Sequence, residues 1–187
     1  MSITKSNVIT KTYKGKFGDQ VVFRNRFGKS IMAVPPKKTS NDPTENQVSA
    51  RKKFALATRY AKNILQDPDM LMAYSARSRD GLTPYILAVT DYLKPPFVDT
   101  INTSGYHGSP GDKICVAAGD DFAVVEVLLQ IVGLNGVVIE QGTCTLNQIT
   151  GSYDFTATAT VTELTGITVI ATARDIPGHT ANHSVTL

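Results

Sequence analysis

Two cysteines, no tryptophan and no long apolar run narrow what this 187-residue chain can be. Cys115 and Cys144 cannot by themselves define a metal site. In a chain without a signal peptide two buried free thiols are expected, and a disulfide stays open because both cysteines fall on predicted strands. The longest apolar stretch, residues 122–132, is interrupted by Glu126 and Gln130, so no transmembrane helix is expected. MSITKSNVITKTYKGK lacks an apolar h-region and is not a Sec signal peptide. The expectation is cytoplasmic synthesis followed by virion or extracellular assembly, through a non-classical route or release within a larger particle.

Acid is scarce at one end and base at the other. The first 62 residues hold 14 Lys/Arg against 3 Asp/Glu, and residues 101–187 hold 2 against 8. The net charge of +3 conceals this split. Two oppositely charged surfaces imply an anionic partner or head-to-tail self-attraction. With 42% hydrophobic and 19% charged residues, the chain reads as an ordinary folded protein.

What is present divides into three segments. Residues 1–38 alternate in short extended runs at 8–13, 20–24 and 30–34, separated by KGKFGD and NRFG. Their apolar groups are too few for an independent core, so this hairpin must pack on a helix or another subunit. From residue 43 the period changes. Asp42 as N-cap, Pro43 at the first helical position and Glu45 closing a capping box predict a helix from 43 to about 66. Ala50, Phe54, Ala57, Ala61, Ile64 and Leu65 form its apolar stripe. Asp67-Pro68 and Thr83-Pro84 open two more helices. Lys94-Pro95-Pro96 ends them and places a stiff boundary near residue 96. Beyond it, strands are expected at 97–102, 112–118, 123–132, 137–146, 152–161, 167–174 and 179–187, with Asn135-Gly136 as the strongest hairpin signal. The fold class expected is α+β in two domains. Residues 1–96 form a basic hairpin and helical assembly domain, and residues 97–187 an antiparallel sandwich of about seven strands.

The tail ITVIATARDIPGHTANHSVTL resembles the closing hairpin of bacterial Ig-like domains: a strand ending in A-x-A, a turn, and a final S-V-T-L strand. VVIEQGTCTLN and GSYDFTATAT resemble that family's middle strands. The resemblance covers about ninety residues and implies a β-sandwich; the missing tryptophan sets the chain apart from antibody-type domains. KGKFGDQVVFRNRFGKSIM, PPKK and PTENQVSARKKFALA together resemble the start of uncharacterised bacterial proteins. Similar hairpin-plus-helix starts occur in phage-derived and particle structural proteins.

Catalytic patterns are thin. Ser49-Ala-Arg-Lys52 matches S-x-x-K but lies on the charged face of the first helix, with neither S-D-N nor K-T-G following. His179 and His183 flank a strand start and lack a third ligand, and His107 reads as a loop residue. Asp120 and Asp121, with Asp112, Asp154 or Asp175, could reach Ca²⁺ from sandwich-end loops, but turn roles account for most of them. No enzyme, cofactor, metal or small-molecule substrate is expected.

The basic patch remains: Arg24, Arg26, Lys29, Lys37 and Lys38, flanked by Lys14, Lys16, Arg51, Lys52 and Lys53. Three uses compete for it. It could release counterions from a nucleic acid while Phe17, Phe23 or Phe27 stack bases. It could be a solvated edge that deters strand pairing. Or it could be a subunit interface, with Tyr13, Phe17, Phe23 and Phe27 as anchors on the acidic face of a neighbour. The expectation favours a homo-oligomeric or otherwise multi-subunit structural protein. A nucleic-acid-binding protein is the alternative, and an Ig-like adhesin binding through loops around residues 105–112 is a third.

Overall fold

The computed structural model describes residues 2–4, 14–26, 28–36 and 42–187, with twelve strands and three helices among them. Strands β1 (Ser2–Thr4), β2 (Gly15–Phe17), β3 (Val21–Arg26) and β4 (Lys29–Ala33) form an antiparallel sheet in the order β1-β4-β3-β2. The last two match the expected runs within two residues at each end. The strand expected at 8–13 lies outside the described residues. KGKFGD was expected to be a turn; instead Gly15–Phe17 pairs with β3 and the turn occupies residues 18–20. Gly18 supplies the positive φ (+55°) that this tight return needs.

Helix α1 (Glu45–Ile64) starts later than expected. Asp42 is not its cap. Thr44 takes that place: its hydroxyl accepts from Gln47 N, and its own N–H donates to Gln47 Oε1. Both Asp42–Glu45 and Thr44–Gln47 have capping-box spacing, and only the second closes both bonds. Helices α2 (Pro68–Ala76) and α3 (Pro84–Leu93) begin as expected, capped by Asp67 and Thr83 with proline at the first turn.

The chain continues through β5 (Phe97–Asn102), β6 (Lys113–Gly119), β7 (Val124–Val132), β8 (Val138–Thr143), β9 (Thr145–Leu146), β10 (Tyr153–Thr156), β11 (Thr168–Asp175) and β12 (Thr180–Thr186). These make two antiparallel four-stranded sheets, β5-β6-β10-β9 and β12-β11-β7-β8. The run expected as one strand at 137–146 is two. It breaks at Cys144, whose N–H bonds Val127 O, and β8 and β9 belong to different sheets. The run expected at 152–161 stops at Thr156. Gly136 forms the expected turn (φ +74°), its N–H bonded to Gly133 O.

Strict alternation fills the core between these two sheets. Val127, Leu129 and Ile131 on β7 and Val169, Ala171 and Ala173 on β11 are buried in one cluster with Ile101, Ile114, Val116 and Phe155 of the other sheet. The chain is therefore α+β: the described residues form three helices and three antiparallel sheets, two of those sheets arranged compatibly with a β-sandwich. A second cluster, Ala57, Ala61, Tyr74, Ala88 and Val89, holds the helices together. Among the described residues, no helix is long and apolar enough to cross a membrane.

Candidate interaction surface

In β2, β3 and β4 no described residue is fully buried. The pairing Phe17↔Val21 and Phe23↔Met32 sets four apolar side chains on one face of this sheet. The pairing Lys16↔Val22, Arg24↔Ile31 and Arg26↔Lys29 sets the cations on the other. The period of two thus separates what the sequence interleaves: aromatics on one side, charge on the opposite side. Phe17 is 73% exposed and Met32 45%, while Phe23 is half-buried. Arg24, Arg26 and Lys29 are exposed, and Arg26 stands directly across from Lys29. Tyr13, Phe27, Lys37 and Lys38 lie outside the described residues.

The exposed apolar character extends into α1. Ala57 and Ala61 are buried, but Ala50 and Phe54, earlier on the same stripe, are exposed. A 20-residue helix is about 30 Å long, twice the length of the ten-residue α3 on which it packs. Its N-terminal half therefore overhangs. Ser49 and Lys52 line a shallow, open depression there with Pro43, Glu45 and Val48.

The structure also brings together groups that sequence reading left apart. Asp91 on α3 is 1% exposed and accepts a 2.5 Å hydrogen bond from the Tyr74 hydroxyl, which lies 3.3 Å from that of Tyr60. Oδ1 of Asp91 and Oδ1 of Asp120, in the turn between β6 and β7, are both buried without a hydrogen-bond partner. Burial pushes the Asp91 carboxyl up to about 6; the Tyr74 bond opposes this, and the carboxyls of Asp120 and Asp175 add to it. Asp175, equally buried, accepts from His179 N at 2.5 Å and pairs with His179 Nδ1 at 3.0 Å, while the His179 ring meets Tyr92 edge-on at 4.9 Å. Phe122 stacks on Tyr74 with ring centroids 4.2 Å apart, and the Arg77 guanidinium lies over the Phe122 ring and bonds its carbonyl. Lys94 pairs with Asp121. These contacts join the helices to the β-region. The available sequence signal was an aspartate on the buried stripe of α3, three residues after Ala88.

The remaining candidates have local roles. Asp112 accepts from the backbone N–H groups of His107 and Ser109, and Asp120 from those of Phe122 and Ala123. His183 is exposed on β12, which separates it from His179 along an extended chain. Among the described residues, no three His, Cys, Asp or Glu side chains are grouped to hold a metal ion. Cys115 and Cys144 are free thiols. Burial, with the Asp154 carboxylate nearby, pushes both up, Cys144 to about 12, which keeps it protonated and unreactive.

No protein-family model matches this chain, and no curated protein does. Among solved structures, a β-glucuronidase of Bifidobacterium dentium, complexed with coumarin-3-O-glucuronide, aligns at 14% identity and a TM-score of 0.33, over 49% of this chain and 18% of that one. A likeness so slight informs neither fold nor activity.

Proposed function

We propose that this chain is a non-enzymatic structural protein, a self-assembling component of a phage-like particle, tube or filament. On this reading residues 1–96 are its assembly domain and residues 97–187 an Ig-like β-sandwich module. One observation carries the proposal: the apolar face of the N-terminal sheet, Phe17, Val21, Phe23 and Met32, has no fully buried member among the described residues. A small sheet gains stability when its apolar face is covered. The overhanging half of α1 adds exposed Phe54 and Leu56 beside it in sequence. Light scattering at high protein concentration and low salt tests this. Concentration-dependent growth in mass is expected, and a constant monomer mass contradicts it.

The cationic face supports a second reading, binding of a nucleic-acid backbone through Arg24, Arg26 and Lys29. The separation of faces weighs against it, since the phenylalanines that would stack bases point away from the cations. If the second reading holds, a labelled DNA shifts steeply with salt, and Arg24→Glu with Arg26→Glu abolishes the shift. No shift for the parent protein removes the reading.

A further inference from the structure

We infer that one proton, shared between Asp91 on α3 and Asp120 in the turn between β6 and β7, latches the helices to the β-region. It makes that seam pH-sensitive, closed in acid and loosened at neutral pH. The inference goes beyond the assembly reading and does not depend on it.

The two carboxyls have the same unmet need. Asp91 is 1% exposed, and its Oδ2 accepts from the Tyr74 hydroxyl at 2.5 Å. Oδ2 of Asp120 accepts from the backbone N–H groups of Phe122 at 2.9 Å and Ala123 at 3.0 Å. What remains on each is a buried Oδ1 that no donor among the described residues reaches. The two carboxyls lie within hydrogen-bonding reach of each other. If both were ionised, neither oxygen would find a donor and the charges would repel. A single proton between them satisfies both at once. It sits on Asp91, because two backbone donors make Asp120 the better acceptor of the pair.

The other charged and titratable groups of the seam are engaged elsewhere. On α1, the Tyr60 hydroxyl lies 3.3 Å from that of Tyr74. After α2, Arg77 covers the Phe122 ring and donates to the Phe122 carbonyl. Lys94, beyond α3, pairs with Asp121. From the β-region, Asp175 adds a further carboxyl near Asp91; it is bonded by His179, whose ring rests edge-on against Tyr92 of α3. Burial first, then the carboxyls of Asp120 and Asp175, raise Asp91 to about 6 against the opposing Tyr74 bond, so the proton leaves within an ordinary pH range. The latch also has a joint beside it, since only Lys94, Pro95 and Pro96 separate α3 from β5. The turn bearing Asp120 is held on the β side: a Cβ on Gly119 would meet the Phe97 ring of β5 at 2.7 Å. Phe122 of that turn reaches across to stack on Tyr74. Once the proton is lost, two carboxylates face each other across the seam, and parting of the seam lets water reach them.

Hydrogen exchange of the full chain between pH 4 and 7.5 tests this, expressed as protection factors so that the intrinsic pH dependence of exchange is removed. The amides of Phe122 and Ala123, which bond Asp120, report the seam. In wild type their protection should fall by up to about a hundredfold, with a midpoint near pH 6, as a two-unit rise requires. The fall should depend only weakly on dilute urea, the mark of a local opening. Asp91→Asn replaces the proton with a permanent amide donor and should abolish the pH dependence. Asp120→Asn leaves Asp91 in place but donates to it, and should move the midpoint down by at least one pH unit. Circular dichroism confirms that each variant folds, and the wild-type profile with the Asp120→Asn midpoint decides without Asp91→Asn. Protection that does not change with pH in wild type overturns the latch. So does a fall that carries the steep urea dependence of the β7 and β11 amides, because the event is then global unfolding. A midpoint unmoved in Asp120→Asn would mean that Asp91 titrates alone and that no proton is shared.

Discussion

The sheet β1–β4 and the sheet β12-β11-β7-β8 have the same number of strands and the same antiparallel pairing. They differ in what covers them. On β7 every second residue from Val127 to Ile131 is buried, because a second sheet lies across that face. On β3 the same alternation leaves Val21 and Phe23 only half-covered. Strand propensity and register are therefore not what separates a core from a surface. The second layer is.

The largest expected contrast comes from cutting side chains in both sheets. Leu129→Ala removes a fully buried leucine and should cost about 2–5 kcal/mol of unfolding free energy in denaturant melts. Phe23→Ala, in the half-covered sheet, should change the melt of the dilute chain by less than about 1 kcal/mol while weakening association. Equal costs in dilute solution would erase the distinction drawn here.

The next effect lies at the helix–β junction and depends on pH. The Asp91 carboxyl titrates near 6 in the folded chain, against 3.8 ordinarily. The folded state thus holds its proton more tightly than the unfolded one. Its contribution is fully present below about pH 4, is lost as pH rises through about 6, and is flat beyond. A two-unit rise corresponds to about 3 kcal/mol. Asp91→Asn keeps an acceptor for Tyr74, offers a donor toward Asp120, and should flatten the pH 4–6 slope in urea melts. An unchanged slope would assign it to other groups.

Smaller still is the effect of Thr44→Ala, which removes the bond from Gln47 N to the hydroxyl and leaves the bond from the residue's own N–H to Gln47 Oε1. The expected loss is about 1 kcal/mol. Because the cap sits on the overhanging half, hydrogen exchange should show fraying of the first turns of α1 with little change in the global midpoint. A matching drop in the midpoint would mean that the overhang is coupled to the packed body.

The same comparison explains what could be read from the chain. Helix starts at Asp67-Pro68 and Thr83-Pro84 were legible because capping is local chemistry. The strands of the β-region were legible because alternation records burial on one face. The break at Cys144 was not, since a chain that changes sheets keeps its extended geometry and its composition. Nor was β2 legible, because its partner is supplied by pairing rather than by propensity. At the candidate surface, Phe17, Phe23, Arg24, Arg26 and Lys29 were identifiable one by one. Their division between faces required the register. The Tyr74–Asp91 hydrogen bond joins residues 17 positions apart and is tertiary throughout.

Concentration-dependent hydrogen exchange tests the central claim most directly. If a neighbour supplies the second layer of the N-terminal sheet, the amides of β3 and β4 should exchange quickly in dilute, high-salt solution. They should slow markedly at high concentration and low salt, while those of β7 and β11 stay slow throughout. Equal exchange of β3 and β4 under both conditions would contradict the account.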